Sequence, residues 1–144
     1  MIDQLQFVLT PPEGVRVPQA YAYRLYGWLL EQLSSELGDT LHEQGEHPVS
    51  QFLYFSPERQ ALVWTVNLLS DELRQAAVPI LEQVQQIQLH DLPLHAELLS
   101  RAQPVSAQQL IRAGRDQGAN RAKLAFRSPC AFKQNGRYAI YPQE

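Results

Sequence analysis

The chain has 144 residues, 44% of them apolar and 19% charged, the balance of an ordinary globular protein and not of a disordered tail or a collagen-like chain. A single cysteine, Cys130, excludes an internal disulfide and a cysteine-based zinc site, so a reducing, cytoplasmic setting is expected. The formal net charge of −3 divides unevenly: residues 1–100 hold four Lys/Arg against thirteen Asp/Glu, and residues 101–144 hold eight against two. A basic tail behind an acidic body points either to a polyanionic partner or to a plainly solvated face.

No apolar run approaches the roughly 18 residues of a membrane span, and Met1-Ile2-Asp3-Gln4 has neither the basic start nor the apolar stretch of a signal peptide. In chain order, Leu5, Phe7 and Leu9 alternate as on a half-buried strand, which Pro11-Pro12-Glu13-Gly14 stops. Pro18 then suits the first turn of a helix, and Tyr21, Leu25, Trp28, Leu29, Leu33 and Leu37 recur at helical spacing as far as Gly38. Thr40-Leu41-His42-Glu43 has the form of a capping box for a further short helix.

Two strand-like runs, Phe52–Phe55 and Ala61–Val66, flank the short turn-like Ser56–Gln60 and read as a hairpin. Ser70 caps a second helix with Leu73, Ala76, Ala77, Ile80, Leu81 and Val84 on its buried stripe, and Pro79 inside it. From Ile87 to Leu99 the alternation changes phase, which reads as one long strand with an irregularity at Asp91-Leu92-Pro93.

Strand, helix, hairpin, helix, strand is the α+β, ferredoxin-like (RRM-like) βαββαβ plan: a four-stranded antiparallel sheet with two helices on one face. It uses residues 1–102. A linker with a short helix at 106–113 occupies 103–120. The segment 121–144, with strand-like Lys123–Phe126 and Tyr138–Tyr141, is expected to form a hairpin with an incomplete core. Its apolar edge invites pairing with a second copy, so a homodimer through this hairpin is expected.

The chemistry has to come from individual side chains, because the sequence lacks the phosphate-loop, dinucleotide, zinc-protease and serine-hydrolase motifs. His90 and His95, five apart on the expected last strand, make a poor metal pair, and no metal or cofactor is expected. His42 in the first turn of a helix is disfavoured as imidazolium by the dipole and favoured by Glu43, so it reads either as a proton-transfer group or as a solvated surface histidine. His47, before Pro48, reads as surface. Arg121, Lys123, Arg127, Lys133 and Arg137 interleave with Phe126, Phe132, Tyr138 and Tyr141, which suits phosphates and stacked bases, or simply the core of a small sheet.

Two segments change this balance. Val17-Pro18-Gln19-Ala20-Tyr21-Ala22-Tyr23-Arg24-Leu25-Tyr26-Gly27-Trp28-Leu29, followed by Leu41-His42-Glu43-Gln44-Gly45, resembles the N-terminal domain of the CRISPR-associated repeat endoribonucleases, the Cas-six family. Phe126-Arg127-Ser128-Pro129-Cys130-Ala131-Phe132-Lys133-Gln134-Asn135-Gly136-Arg137-Tyr138 resembles the strand–turn–strand that opens that family's second domain, with Ser128 in place of the usual threonine. The resemblance implies two tandem ferredoxin-like domains that cradle repeat RNA and cut it without a metal, the ribose 2′-hydroxyl attacking the adjacent phosphate to leave a cyclic phosphate.

It further implies His42 as general base or acid; Tyr26 and His47 are the next residues to test. Leu30 stands where some members carry an assisting tyrosine, with Tyr26 one turn earlier, and Gln51 stands at the place of a charge-stabilising lysine. The family's glycine-rich loop near the end of the second domain is missing, so the chain reads as the first domain plus the opening hairpin of the second. CRISPR repeat RNA is the implied partner, together with proteins of a CRISPR effector complex. Two other readings stand beside this one: a catalytically silent RNA-binding or assembly subunit on the same fold, and an unrelated ferredoxin-like interaction module.

Overall fold

The computed structural model describes residues 2–33, 48–117, 131–134 and 137–140. The elements run β1 (Asp3–Thr10), a single 3-10 turn (Gln19–Tyr21), α1 (Ala22–Gln32), β2 (Val49–Ser56), β3 (Ala61–Leu68), α2 (Asp71–Gln83), β4 (Gln86–Leu89), β5 (Leu92–Arg101), α3 (Ala107–Gln117), β6 (Ala131–Gln134) and β7 (Arg137–Ile140). The first five strands form one sheet in the order β2-β3-β1-β5-β4 with every neighbour antiparallel. Without β4, this is the order of a ferredoxin-like sheet.

The fifth strand is a correction to the expected four. The phase change after Leu89 is a chain reversal and not an irregular strand: His90 and Asp91 form a two-residue turn, and Leu89 pairs with Leu92. A two-residue hairpin loop puts residues i and i+3 on the same face, so the apolar set moves from odd to even numbers as it would across a bulge. His90 takes a left-handed φ of 53°, and the Gln88 side chain donates to its carbonyl oxygen at 2.8 Å. The true irregularity lies further on, where the β1–β5 register shifts between Gln6 and Phe7 and leaves Leu99 as the extra residue.

Alternation builds the core. Leu5, Phe7 and Leu9 of β1, with Trp64, Val66 and Leu68 of β3, face Leu25 and Leu29 of α1 and Leu73, Ala77 and Leu81 of α2. Trp64 sits at its centre, tilted against Phe7 at 5.6 Å between ring centroids and edge-on to Trp28 at 6.3 Å. The other sheet face carries a hydrogen-bonded polar ladder: Gln4 donates to Asn67, Asn67 to Ser50, Gln6 to Thr65, and Ser100 to Gln6.

Helix limits follow their caps. The Ser70 hydroxyl accepts from the Leu73 N–H at 3.2 Å, with Asp71 and Glu72 at the positive end of the α2 dipole. α2 continues through Pro79. α1 ends at Gln32, five residues short of the expected Leu37: Leu33 turns extended and buries its side chain in the core. α3 opens on a reciprocal capping box, the Gln109 N–H donating to the Ser106 hydroxyl and the Ser106 N–H to the Gln109 side chain.

In the tail, β7 pairs with β6. The observed partner of residues 137–140 is therefore 131–134, while Lys123–Phe126, expected to fill that role, lies outside the described residues. The expected helix after Thr40 lies outside them as well.

Candidate functional site

The segment that carries His42 and His47 hangs between two buried anchors. Leu33 closes α1 inside the core, and Val49 opens β2 with 8% of its surface exposed. Beside Val49 the Pro48 carbonyl accepts from the Leu69 N–H at 2.7 Å, which ties the return of the chain to the end of β3. His42 and His47 themselves lie outside the described residues, as do Arg121, Lys123 and Arg127. The two points at which this segment joins the described fold are thus the end of a packed helix and the start of a sheet strand.

The same end of the sheet holds an ion cluster. Asp3, fully buried on β1, receives Arg74 of α2 through Nε at 2.9 Å and Arg101 of β5 through Nη2 at 2.7 Å and Nε at 3.1 Å. Arg101 also binds Glu82 through Nη1. Burial acts to raise the Asp3 pKa, but the hydrogen bonds and charges of Arg101 and Arg74 outweigh it and hold the carboxyl below its ordinary value. Each cation here already has an anion, so this cluster fastens helix to sheet and leaves little charge for a ligand.

Tyr26 is half-buried on α1 at the margin of the core. Burial pushes its phenol above the ordinary tyrosine value, so near neutral pH it keeps its proton and can donate a hydrogen bond but not act as a base. Leu30, one turn on, packs against the same core. Gln51, at the place where the family resemblance puts a lysine, accepts from the Trp64 indole N–H through Oε1 at 2.9 Å. That side chain therefore satisfies a buried donor.

Lys133 and Arg137 fall on the two strands of the tail hairpin, where the register pairs Lys133 with Tyr138 and Gln134 with Arg137. His90 and His95 are exposed, one in the β4–β5 turn and the other opposite Gln86 and Thr10. Among the described residues no three His, Cys, Asp or Glu side chains gather as metal ligands. Nor is any described helix long and apolar enough to cross a membrane.

Sequence reasoning missed the Asp3 cluster, although its signal was present: an acid at an inward position of the alternation that continues as Leu5, Phe7 and Leu9. It also missed a cleft at the far end of the sheet, lined by Thr10, Arg16, Phe55 and Gln60 among others. Neither its exposed ring nor its arginine belongs to a sequence motif.

The described geometry defines an α+β domain of ferredoxin-like topology with one added edge strand. No family model matches the chain. In sequence it is similar to a CRISPR-associated endoribonuclease Cas6 of Streptococcus thermophilus, 29% identical over 125 residues, which cover 86% of this chain and 51% of that protein. The chain spans about half the length of this curated relative. A solved Cas6 product complex superposes with a TM-score of 0.50 at 21% identity, covering 69% of this chain and 39% of the other, a likeness of fold. The chain is thus similar in sequence to one Cas6 endoribonuclease and shares the architecture of a solved one.

Proposed function

We propose that this chain acts in the processing of CRISPR repeat precursor RNA into guide RNAs, as the N-terminal domain and opening hairpin of a Cas6-type endoribonuclease. The observation that carries the proposal is the 29% identity extending over 86% of the chain. In this reading the 2′-hydroxyl upstream of the scissile phosphate attacks phosphorus, the bond to the departing 5′-oxygen breaks, and a cyclic phosphate and a 5′-hydroxyl remain. His42, in the segment between α1 and β2, takes or gives the proton. Tyr26 supplies a hydrogen-bond donor, and His47 is the alternative proton carrier. Arg121, Lys123, Arg127, Lys133 and Arg137 neutralise phosphates along the tail.

The experiment is cleavage of repeat RNA in EDTA by the gene's full-length product, wild type beside His42→Ala. Acid or base help from one side chain gives ~10²–10⁴-fold, so the variant should lose activity on that scale. Equal rates would remove His42 from the mechanism and pass the test to His47 and Tyr26. Arg127→Ala and Lys133→Ala should instead weaken RNA binding and flatten its salt dependence.

A second reading draws on the Gln51–Trp64 hydrogen bond. With the lysine position given over to a structural amide, the same fold can serve as a catalytically silent RNA-binding or assembly subunit of a CRISPR effector complex. It predicts repeat RNA bound and left intact by the full-length product.

A further inference from the structure

The cations of the first hundred residues are distributed unequally over the fold. Arg74 is held by Asp3 at the end of the sheet where β1 begins. Arg16, Arg24 and Arg59 ride instead on the Pro11–Pro18 connection, the first turn of α1 and the β2–β3 turn, three segments that meet at the opposite end. Between the first and the last of these lies a cleft of about 920 Å³, lined by Thr10, Val15, Arg16, Phe55, Gln60 and Leu62 among others. Its volume is within the ~300–1,000 Å³ of sites that take small organic groups.

Three features of the lining point to one class of ligand. Phe55 leaves 55% of its surface in water at the wall of the cleft, although β2 otherwise buries its inward-facing large apolar side chain, Leu53. Arg16 is exposed and makes no ion pair or hydrogen bond among the described residues. The Gln60 amide nitrogen donates to the Pro57 carbonyl at 2.7 Å, which fixes the side chain and leaves its own carbonyl oxygen to accept. The acids of the two bordering turns, Glu13 and Glu58, do not line the cleft. A flat exposed ring, a guanidinium unpaired among the described residues and a fixed amide together match a base and its phosphate, with aliphatic lining such as Val15 and Leu62 beside the ring; an apolar peptide side chain would leave Arg16 and Gln60 unused.

We propose that this cleft seats one unpaired nucleotide of an RNA strand, with the base against Phe55 and the phosphate toward Arg16. The proposal rests on the RNA-processing reading above and adds to it a site at the end of the sheet opposite to that where β2 begins.

The test uses the 144-residue chain and a fluorescein-labelled single-stranded RNA hexamer containing 4-thiouridine. Phe55→Ala should weaken binding by about tenfold, the scale of one base–aromatic stack, and Phe55→Trp should keep it. Arg16→Ala should weaken binding and lower the slope of log affinity against log salt by about 0.7. Both side chains are exposed, so thermal midpoints should stay at the wild-type value. Photocrosslinks should map to the peptides holding Arg16 and Phe55. Unchanged affinity in Phe55→Ala, with crosslinks elsewhere, overturns the cleft and leaves the RNA-processing reading standing. A chain that binds no hexamer also overturns the cleft, and cleavage of repeat RNA by the full-length product then judges the wider reading separately.

Discussion

Asp3→Asn removes the charge that joins β1, α2 and β5. Asp3 is fully buried and accepts three hydrogen bonds from two guanidinium groups, while the side chains of Arg74 and Arg101 keep 27% and 30% of their surface exposed. Removing one partner of a buried pair costs ~3–5 kcal/mol, and the partial exposure of both arginines places this case at the lower end, about 3 kcal/mol. For a domain of this size each kcal/mol moves the melting midpoint by about 4 °C, so a drop of about 12 °C is expected at pH 7. The pH profile carries a second signature. The folded pKa of Asp3 is depressed, so its contribution is complete above the unfolded value and fades as pH falls through the folded one. Wild-type stability should therefore decline below about pH 4 more steeply than that of Asp3→Asn, and the gap between the two should narrow. Thermal unfolding followed by circular dichroism from pH 7 to pH 2.5 measures both. A loss under ~1 kcal/mol at pH 7, or parallel profiles in acid, would refute the view that this cluster clamps the sheet to α2.

Gln51→Ala should cost ~1–3 kcal/mol in urea unfolding, because the Trp64 indole N–H loses its acceptor inside the core. Pro79→Ala should stabilise the chain, by up to ~3 kcal/mol, since Pro79 is an exposed residue inside α2 that offers no N–H to the helix; an unchanged or lowered midpoint would show that its ring does more than the fold suggests. The tail hairpin should support self-association through its strand edges, so sedimentation should show a dimer that Ile140→Lys dissociates, and a strict monomer would count against it.

The parts of the fold legible in the sequence were those in which local chemistry and tertiary burial agree. β1, β3 and α2 follow from alternation, from helical spacing and from Ser70 as a cap, and the structure places them within a few residues of those signals. The β4–β5 reversal was hidden because its turn, His90-Asp91, has neither glycine nor asparagine, and a left-handed histidine gives no warning in sequence. The opposite case is the tail, where Asn135-Gly136 between Lys133-Gln134 and Arg137-Tyr138 is a strong hairpin signal that outranks the longer apolar run Lys123–Phe126 as the partner of 137–140. α1 ends early because a leucine stripe specifies burial, and Leu33 achieves burial just as well from an extended backbone.

The candidate site divides along the same line. A motif marks residues by type and spacing, and so it singles out His42, Tyr26 and the basic tail, whose proposed roles rest on the chemistry carried by each side chain. The cleft at the far end depends on juxtaposition: Arg16 and Phe55 are 39 positions apart, and neither is unusual until the β1–α1 connection and the end of β2 bring them to one cleft. The two ends of the sheet also differ in their electrostatics. Where β1 begins, Asp3 and Glu82 neutralise Arg74 and Arg101; where β1 ends, Arg16 remains unpaired among the described residues. An acidic domain can hold a polyanion only where its own carboxylates have not already claimed the cations, and on this fold that condition is met beside Phe55.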